Sequence, residues 1–178
     1  MKTLIDQLSQ YAAYHRDSRN IATHFIGIPM IVQAVAMLLA RPELAVVGGV
    51  PISPATLVVL ATVGYYLRLD VRYGLVMAAL LGAALVAASK AAALSTGAWL
   101  GWGLGLFVVG WVFQFVGHFW EGRKPAFVDD LVGLIIGPLF VLAELGFLLG
   151  LRQEVRHAIE ARSGPVRRGG GAAAAAGG

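Results

Sequence analysis

Three of the four histidines lie close to apolar segments, at spacings that would suit metal chemistry. His15 and His24 fall nine residues apart in the polar stretch YHRDSRNIATH, just before the first long apolar run. Nine residues of continuous helix rotate through about 900°, which would put the two rings on opposite faces. They can share a ligand only if the helix breaks between them, and DSRN is where such a break is expected. The stretch therefore predicts a surface helix ending near His15 and a membrane helix beginning shortly before His24.

A second polar group follows much later in the chain, within the sequence WVFQFVGHFWEGRKP. Gln114, His118 and Glu121 lie at positions i, i+4 and i+7, which share one face of a helix. Trp111 extends the same face, and Pro125 ends the helix soon afterwards. Three imidazoles and a carboxylate, with no sulfur ligand, suit Fe(II), Mn(II) or Zn(II). The alternative is that these histidines only form hydrogen bonds at a membrane interface, although ionisable groups beside membrane segments are more often functional.

Several chemical classes are excluded by what the chain lacks. It contains no cysteine, which excludes disulfides, zinc–thiolate sites, iron–sulfur clusters and thiol nucleophiles. Four histidines are too few for the histidine-rich centre of a membrane di-iron hydroxylase or desaturase. The sequence has neither a G-x-S-x-G elbow nor a phosphate-binding loop. Its net charge is +4, but the cations lie in short loops and in the tail, which indicates contact with membrane lipid rather than nucleic acid.

The composition predicts a membrane protein. Hydrophobic residues make up 58% of the chain and charged residues 13%, against about 25% charged in ordinary soluble domains. We expect an all-α, polytopic membrane helix bundle with about four to five membrane segments, preceded by an amphipathic helix over residues 3–15. The apolar segments are predicted at about 21–40, 54–67, 71–94, 98–117 and 131–150.

Residues at the segment ends predict where the helices begin and break. Asn20 is the best candidate to cap the first membrane helix, and Ser53 with Pro54 suits the start of the second. Pro138 is expected to break the last segment, so that four segments cross fully, and Glu144 within that segment needs a partner. Residues 1–160 are predicted to form one membrane-embedded catalytic domain, and the Gly- and Ala-rich residues 161–178 a disordered tail.

The distribution of charge predicts the orientation of the chain. With the N-terminus inside, seven cations face the cytoplasm and only Arg41 and Lys90 face out. His15, His24 and His118 then lie at the cytoplasmic face. The Ala- and Gly-rich composition indicates a bacterial inner membrane, or the endoplasmic reticulum if the source is eukaryotic. The sequence predicts no oligomeric state.

Two blocks of the sequence resemble a small membrane family of Fe(II)-dependent 2-hydroxy fatty acid dioxygenases, to which a yeast endoplasmic-reticulum enzyme of phytosphingosine degradation belongs. The first block, YAAYHRDSRNIATHFIGIP, matches the family pattern at His15, Asn20 and His24. The second matches it at Trp111, Gln114, Phe115, Gly117, His118, Arg123, Pro125 and Ala126. Glu121 lies one position nearer the histidine than the family pattern places it. The two blocks cover about a third of the chain, and the middle is similar only in hydropathy.

The resemblance implies an oxidoreductase that uses O2 to shorten a long-chain 2-hydroxy fatty acid by one carbon, with release of CO2. It implies an Fe(2+) cofactor bound by His15, His24 and His118. Glu121 would be either a fourth ligand or an acceptor that orients an imidazole.

The remaining candidate residues would act around that metal. Gln114 and Asn20 would form hydrogen bonds to its ligands or to the substrate head, although Asn20 would alternatively be only a helix cap. Arg16 or Arg123 would bind the substrate carboxylate, while the acyl chain lies between helices. Two rival hypotheses remain at this point: a non-catalytic membrane scaffold or small transporter, and an enzyme that acts on a related lipid with another metal, such as a zinc hydrolase.

Overall fold

The computed structural model describes residues 2–48, 50–125 and 129–168. Helices dominate the described part of the chain, which confirms the predicted all-α class. In order, the elements are α1 (Leu4–Ala12), α2 (Ser18–Ala40), β1 (Ala45–Val47), β2 (Val50–Ile52), α3 (Pro54–Leu69), α4 (Val71–Ala92), α5 (Thr96–Glu121), α6 (Val132–Leu148) and α7 (Gln153–Ser163).

The lengths and composition of these helices fit a polytopic membrane protein. Helices α2, α4 and α5 are each long and apolar enough to cross a membrane, and α6 with α7 would add a fourth span if the bent pair is counted as one. Helix α3 has 16 residues, fewer than the roughly 20 that a span usually needs. Large apolar side chains such as Leu60, Leu80 and Trp102 are exposed, as lipid-facing positions should be.

The predicted N-terminal amphipathic helix is confirmed, with slightly shorter bounds. Thr3 caps α1 in a capping box with Asp6. The face expected to be apolar is buried at Leu4, Leu8 and Tyr11. This face packs against α6 and α7, so α1 belongs to the helix bundle itself.

The chain leaves helical structure between Ala12 and Ser18, which is the break predicted between His15 and His24. The cap predicted at Asn20 is wrong, because α2 begins two residues earlier. Asp17 Oδ1 accepts a hydrogen bond from the Arg19 amide at 2.9 Å, as a capping carboxylate does. Asn20 is therefore free to make its side-chain contacts elsewhere.

The second membrane segment begins as predicted. Ser53 caps α3 and Pro54 occupies its first turn. The Gly- and Pro-rich stretch before it, which the sequence indicated only as a connection, forms an antiparallel hairpin that pairs Ala45 with Ile52. Strands of three residues carry too short an alternation pattern to be recognised from sequence.

Helices α3 and α4 pack closely, and Gly74 is the position that permits it. A Cβ atom at Gly74 would lie 2.6 Å from Leu67 Cα and 2.7 Å from Leu67 N, both backbone atoms that cannot move away alone.

We expect Gly74→Ala to destabilise the fold by about 1–3 kcal/mol, measured as a lower unfolding midpoint in detergent. Gly82→Ala on the same helix is the matched control, since nothing lies within 4 Å of its Cβ position. An unchanged midpoint in Gly74→Ala would contradict this packing.

The predicted break at Pro138 is wrong. Pro138 lies inside α6, which continues to Leu148. The chain bends by 116° only after that point, between α6 and α7. Gly150 and Arg152, both in the left-handed backbone region, make this turn (φ 78° and 51°). A proline within a helix removes one backbone hydrogen bond, and neighbouring packing can hold the helix together regardless.

The chain divides into two compact units, Met1–Ile26 with Val112–Gly178 and Gly27–Trp111. All the candidate site residues belong to the first. The described structure of this unit continues beyond residue 160, since α7 runs to Ser163 and residues 164–168 are also described. The rest of the predicted tail, 169–178, and Ala126 of the second sequence block lie outside the described residues.

Candidate metal centre

The structure brings His15, His24 and His118 together from three places in the chain. His15 follows α1, His24 lies in the second turn of α2, and His118 lies in the last turn of α5. One nitrogen from each ring lies within 4.8 Å of the other two. The ring centroids are 4.5–5.2 Å apart, and all three side chains are buried. We call these residues the three-histidine cluster.

Backbone contacts determine which ring nitrogens can bind a metal. His15 Nδ1 lies 2.7 Å from the Tyr11 carbonyl oxygen, and His24 Nδ1 lies 2.9 Å from the Asn20 carbonyl oxygen. A carbonyl oxygen only accepts, so each Nδ1 carries the hydrogen and donates it. In a neutral ring Nε2 then has a free lone pair. This arrangement is the usual way in which proteins orient metal-binding imidazoles.

The two free nitrogens face each other. His15 Nε2 and His24 Nε2 are 3.0 Å apart. Two lone pairs at that distance repel unless a cation lies between or beside them. Burial, followed by the neighbouring His24, lowers the pKa of His15 well below its ordinary value. The ring is therefore neutral at physiological pH, which is the state that binds a metal.

His118 supplies the third nitrogen of the cluster. Its Nδ1 is buried and has no hydrogen-bond partner within the described chain. Three buried nitrogens with no sulfur form a donor set that suits a first-row divalent metal and leaves coordination positions open. The residues present therefore fit a metal of this kind.

Aromatic side chains hold the first ring in place. Tyr11 stacks on His15 with the centroids 4.1 Å apart and the planes 5° from parallel. Phe140 of α6 lies against the same ring at 5.6 Å. Tyr11 could be found from sequence, since it lies one helical turn before His15 on the buried face. No sequence signal pointed to Phe140.

The resemblance implied that Glu121 is either a fourth metal ligand or an acceptor for an imidazole, and the structure shows its hydrogen bonds to other groups. Its Oε2 accepts from the backbone amides of Arg16 (2.9 Å) and Asp17 (2.8 Å) and from Asn20 Nδ2 (3.1 Å). Its Oε1 accepts from Arg167 Nη2 at 2.7 Å. The carboxylate thus holds the turn between α1 and α2 against the end of α5. We call this set of contacts the Glu121 clamp.

The C-terminal segment takes part in the same turn. The Arg167 amide donates to the Arg16 carbonyl oxygen at 2.6 Å, and the Ser18 amide donates to the Arg167 carbonyl oxygen at 3.0 Å. This short bridge places residues 164–167 across the turn that carries His15. Arg167 was missed because it lies in the predicted disordered tail, and a partner so distant in sequence leaves no local pattern.

Asn20 and Gly117 allow α2 and α5 to approach near the histidines. The Asn20 side chain donates to Glu121 and to the Tyr14 carbonyl oxygen. A Cβ atom at Gly117 would collide with Asn20 Oδ1 and Thr23 Oγ1. Glycine is therefore required immediately before His118 for the two helices to lie this close.

Gln114 lies one turn before His118 on α5. It is buried, and its Nε2 has no hydrogen-bond partner in the part of the chain that the structure describes. A buried amide without an acceptor costs about 1–3 kcal/mol, so a ligand oxygen that accepts from it would be stabilising.

The two arginines predicted to bind substrate differ in their surroundings. Arg123 is exposed, and its Nη1 donates to the Ala13 carbonyl oxygen. Arg16 is buried, and its Nε and Nη1 donate to backbone carbonyl oxygens, with Gly164 among the acceptors. Its Nη2 makes no hydrogen bond within the described residues and lies 3.6 Å from Glu144 Oε1. Glu144 thereby has the partner that its place in an apolar segment demands.

Two comparisons with known proteins, one with family models and one with individual proteins, indicate the same family. Residues 1–149 match the family model described as "2-hydroxy-palmitic acid dioxygenase Mpo1-like". The 2-hydroxy-palmitic acid dioxygenase MPO1 of Saccharomyces cerevisiae is 32% identical over 173 residues, which are 92% of this chain and 94% of that protein. No solved structure matches the chain. Because the family match includes all three histidines and most of the chain, this protein belongs to the Mpo1-like family.

Proposed function

We propose that this protein is an Fe(II)-dependent dioxygenase that shortens long-chain 2-hydroxy fatty acids by one carbon and releases CO2. The observation that carries the proposal is the pair of Nε2 atoms 3.0 Å apart, each freed by a backbone acceptor at Nδ1, with a ring nitrogen of His118 within 4.8 Å. The yeast relative is named for a 2-hydroxy acid and for dioxygenase activity, which supports the same substrate class.

The reaction needs no second reductant. R-CHOH-COOH and O2 give R-COOH, CO2 and H2O, and the substrate supplies all four electrons that reduce O2. Neither 2-oxoglutarate, flavin nor nicotinamide is then required. A bound Fe(II) would supply open coordination positions for the substrate head and for O2.

The chain's own residues would hold and orient the reactants. His15, His24 and His118 would bind the iron, and the Glu121 clamp would keep the His15 turn in place. Gln114 Nε2 is available to donate to an oxygen of the substrate or of O2. Arg16 is better suited than Arg123 to bind the substrate carboxylate, because Arg16 is buried and its Nη2 makes no hydrogen bond within the described residues.

The membrane location accords with a long-chain substrate. A fatty acid partitions into lipid, so a site at the lipid–water boundary meets its substrate at high local concentration. The excess of cations in the loops on the N-terminal side supports a site that faces the cytoplasm. The Ala- and Gly-rich composition supports a bacterial inner membrane, or the endoplasmic reticulum if the source is eukaryotic.

The test is an activity measurement on the purified protein. After anaerobic loading with Fe(II), 2-hydroxypalmitate and O2 should give CO2 and the acid one carbon shorter in equal amounts. Palmitate, which lacks the hydroxyl group, should give neither, and an Fe(II) chelator should stop the reaction. Turnover without O2, or with zinc in place of iron, would favour a hydrolase. Protein that binds no metal and converts no substrate would favour a non-catalytic membrane protein.

A further inference from the structure

A pocket of about 300 Å³ lies beside the His15 turn, and the proposed reaction does not yet account for it. Helix α2 contributes Ile21, Ala22 and Phe25 to its wall, and α6 contributes Phe147 and Leu148. Helix α7 and the segment after it close the other side with Ile159 and Val166. The volume is at the lower end of the range for ligand sites, and the lining is mainly apolar, as such sites usually are.

The pocket also has charged groups of both signs in its wall. Arg16 and Glu144 are adjacent, with Arg16 Nη2 3.6 Å from Glu144 Oε1. That separation is too long for a hydrogen bond, and Nη2 is buried without another acceptor among the described residues. Arg156 and Glu160 of α7 add one charge of each sign. A free donor and an acceptor therefore lie side by side in the apolar wall.

This donor–acceptor pair lies near the three-histidine cluster. Phe140 contacts the His15 ring, while Glu144 pairs with Arg16. Phe140 and Glu144 are four residues apart on α6, which is about 6 Å along the helix axis. A small polar head group bound at Arg16 is thus about one helical turn, measured along α6, from the point at which Phe140 contacts the His15 ring.

We propose that this pocket binds the alkyl chain of a long-chain 2-hydroxy acid, with its head at Arg16 and Glu144. A carboxylate accepts from Arg16 Nη2, and the neighbouring hydroxyl group donates to Glu144. An unsubstituted fatty acid lacks that hydroxyl donor and brings only a second negative charge towards Glu144. The pocket is thus specific for the hydroxylated acid and limits its chain length. This inference rests on the proposed function for the identity of the substrate.

Chain-length dependence provides the test, measured as binding to the full-length protein in detergent. The probes are water-soluble 2-hydroxy acids of increasing length, for which each added CH2 should raise affinity roughly fourfold until the pocket is full. Beyond that length the affinity should stay constant, and we call this length the plateau. Ala22→Phe fills the pocket and should move the plateau to shorter acids. Phe25→Ala enlarges it and should move the plateau to longer acids. Ala161→Phe is the matched control, because Ala161 is exposed on α7 and does not line the pocket.

A separate variant tests recognition of the head group. Glu144→Met should remove the preference for a 2-hydroxy acid over the unsubstituted acid of equal length, by strengthening binding of the latter. An unaltered preference in a folded Glu144→Met protein would overturn the assignment of the head group. If Glu144→Met does not fold, the two chain-length variants still decide the location of the chain.

The outcomes separate this inference from the proposed function. Co(II) binding by the three-histidine cluster should be the same in wild type, Ala22→Phe, Phe25→Ala and Ala161→Phe. If these proteins bind metal and turn over substrate but share one plateau, the pocket inference is wrong and the reaction stands. If the plateau moves as expected but wild type converts no substrate, the pocket inference stands and the reaction is wrong.

Discussion

Replacing His118 by alanine is expected to abolish both metal binding and turnover of 2-hydroxypalmitate. His118 supplies one of the three nitrogens of the cluster, and no other histidine or acidic group in the described chain joins it. Loss of a residue that merely orients a metal ligand typically costs about 10–100-fold in metal affinity, so loss of a ligand itself should exceed that range. Metal content after dialysis, measured together with the rate of CO2 release, checks the prediction. His15→Ala and His24→Ala should behave in the same way.

The fourth histidine provides the matched control for this series. His157 lies on α7 with an exposed side chain and is not part of the cluster. His157→Ala should retain wild-type metal content and activity. Full metal binding and full activity in His118→Ala would contradict the assignment of the site, whatever the other variants did.

Replacing Glu121 by alanine should have the second largest effect, and it should act through the fold of the turn. The change leaves the Arg16 and Asp17 amides and Asn20 Nδ2 without their common acceptor. Buried donors left unsatisfied should together lower the free energy of unfolding by about 3 kcal/mol. Because His15 belongs to the same turn, metal affinity should fall as well, measured by Co(II) titration alongside the unfolding midpoint.

Two milder substitutions distinguish a clamp from a metal ligand. Arg167→Ala removes only the donor to Oε1 and should cost about 1 kcal/mol or less, since this arginine is partly exposed. Glu121→Gln keeps one amide oxygen for the three donors and should retain most of the metal affinity. If Glu121→Gln instead lost metal as completely as His118→Ala while the fold stayed stable, Glu121 would be a ligand and not a clamp.

The helical architecture and the meeting of the two histidine motifs were accessible from sequence because their signals are local. Apolar runs delimit α2 to α6, and Ser53 with Pro54 defines the start of α3. The break in helical structure before α2 was recognised because polar, cap-forming residues interrupt the helical pattern there. Each of these inferences depends on residues within a few positions of one another.

The hydrogen-bond partners of Glu121 were not accessible in this way. Its main partners are backbone amides that lie 104 and 105 residues earlier in the chain, and backbone amides carry no side-chain signal. A further partner, Arg167, lies in a Gly-rich stretch that composition alone assigns to disorder. The position of the bend was misjudged for a related reason: proline weakens a helix locally, but packing decides whether the helix continues.

If the three-histidine cluster binds iron as we propose, its make-up also constrains when the protein can acquire that ion. His15 and His24 are synthesised early. His118 comes much later in the chain, as does Arg167, which donates to Glu121. A nascent chain therefore carries two imidazoles that cannot form the complete centre until α5 has been translated. Loading of the proposed iron would then follow translation of α5, so a chain stalled before residue 118 should lack the complete three-nitrogen centre.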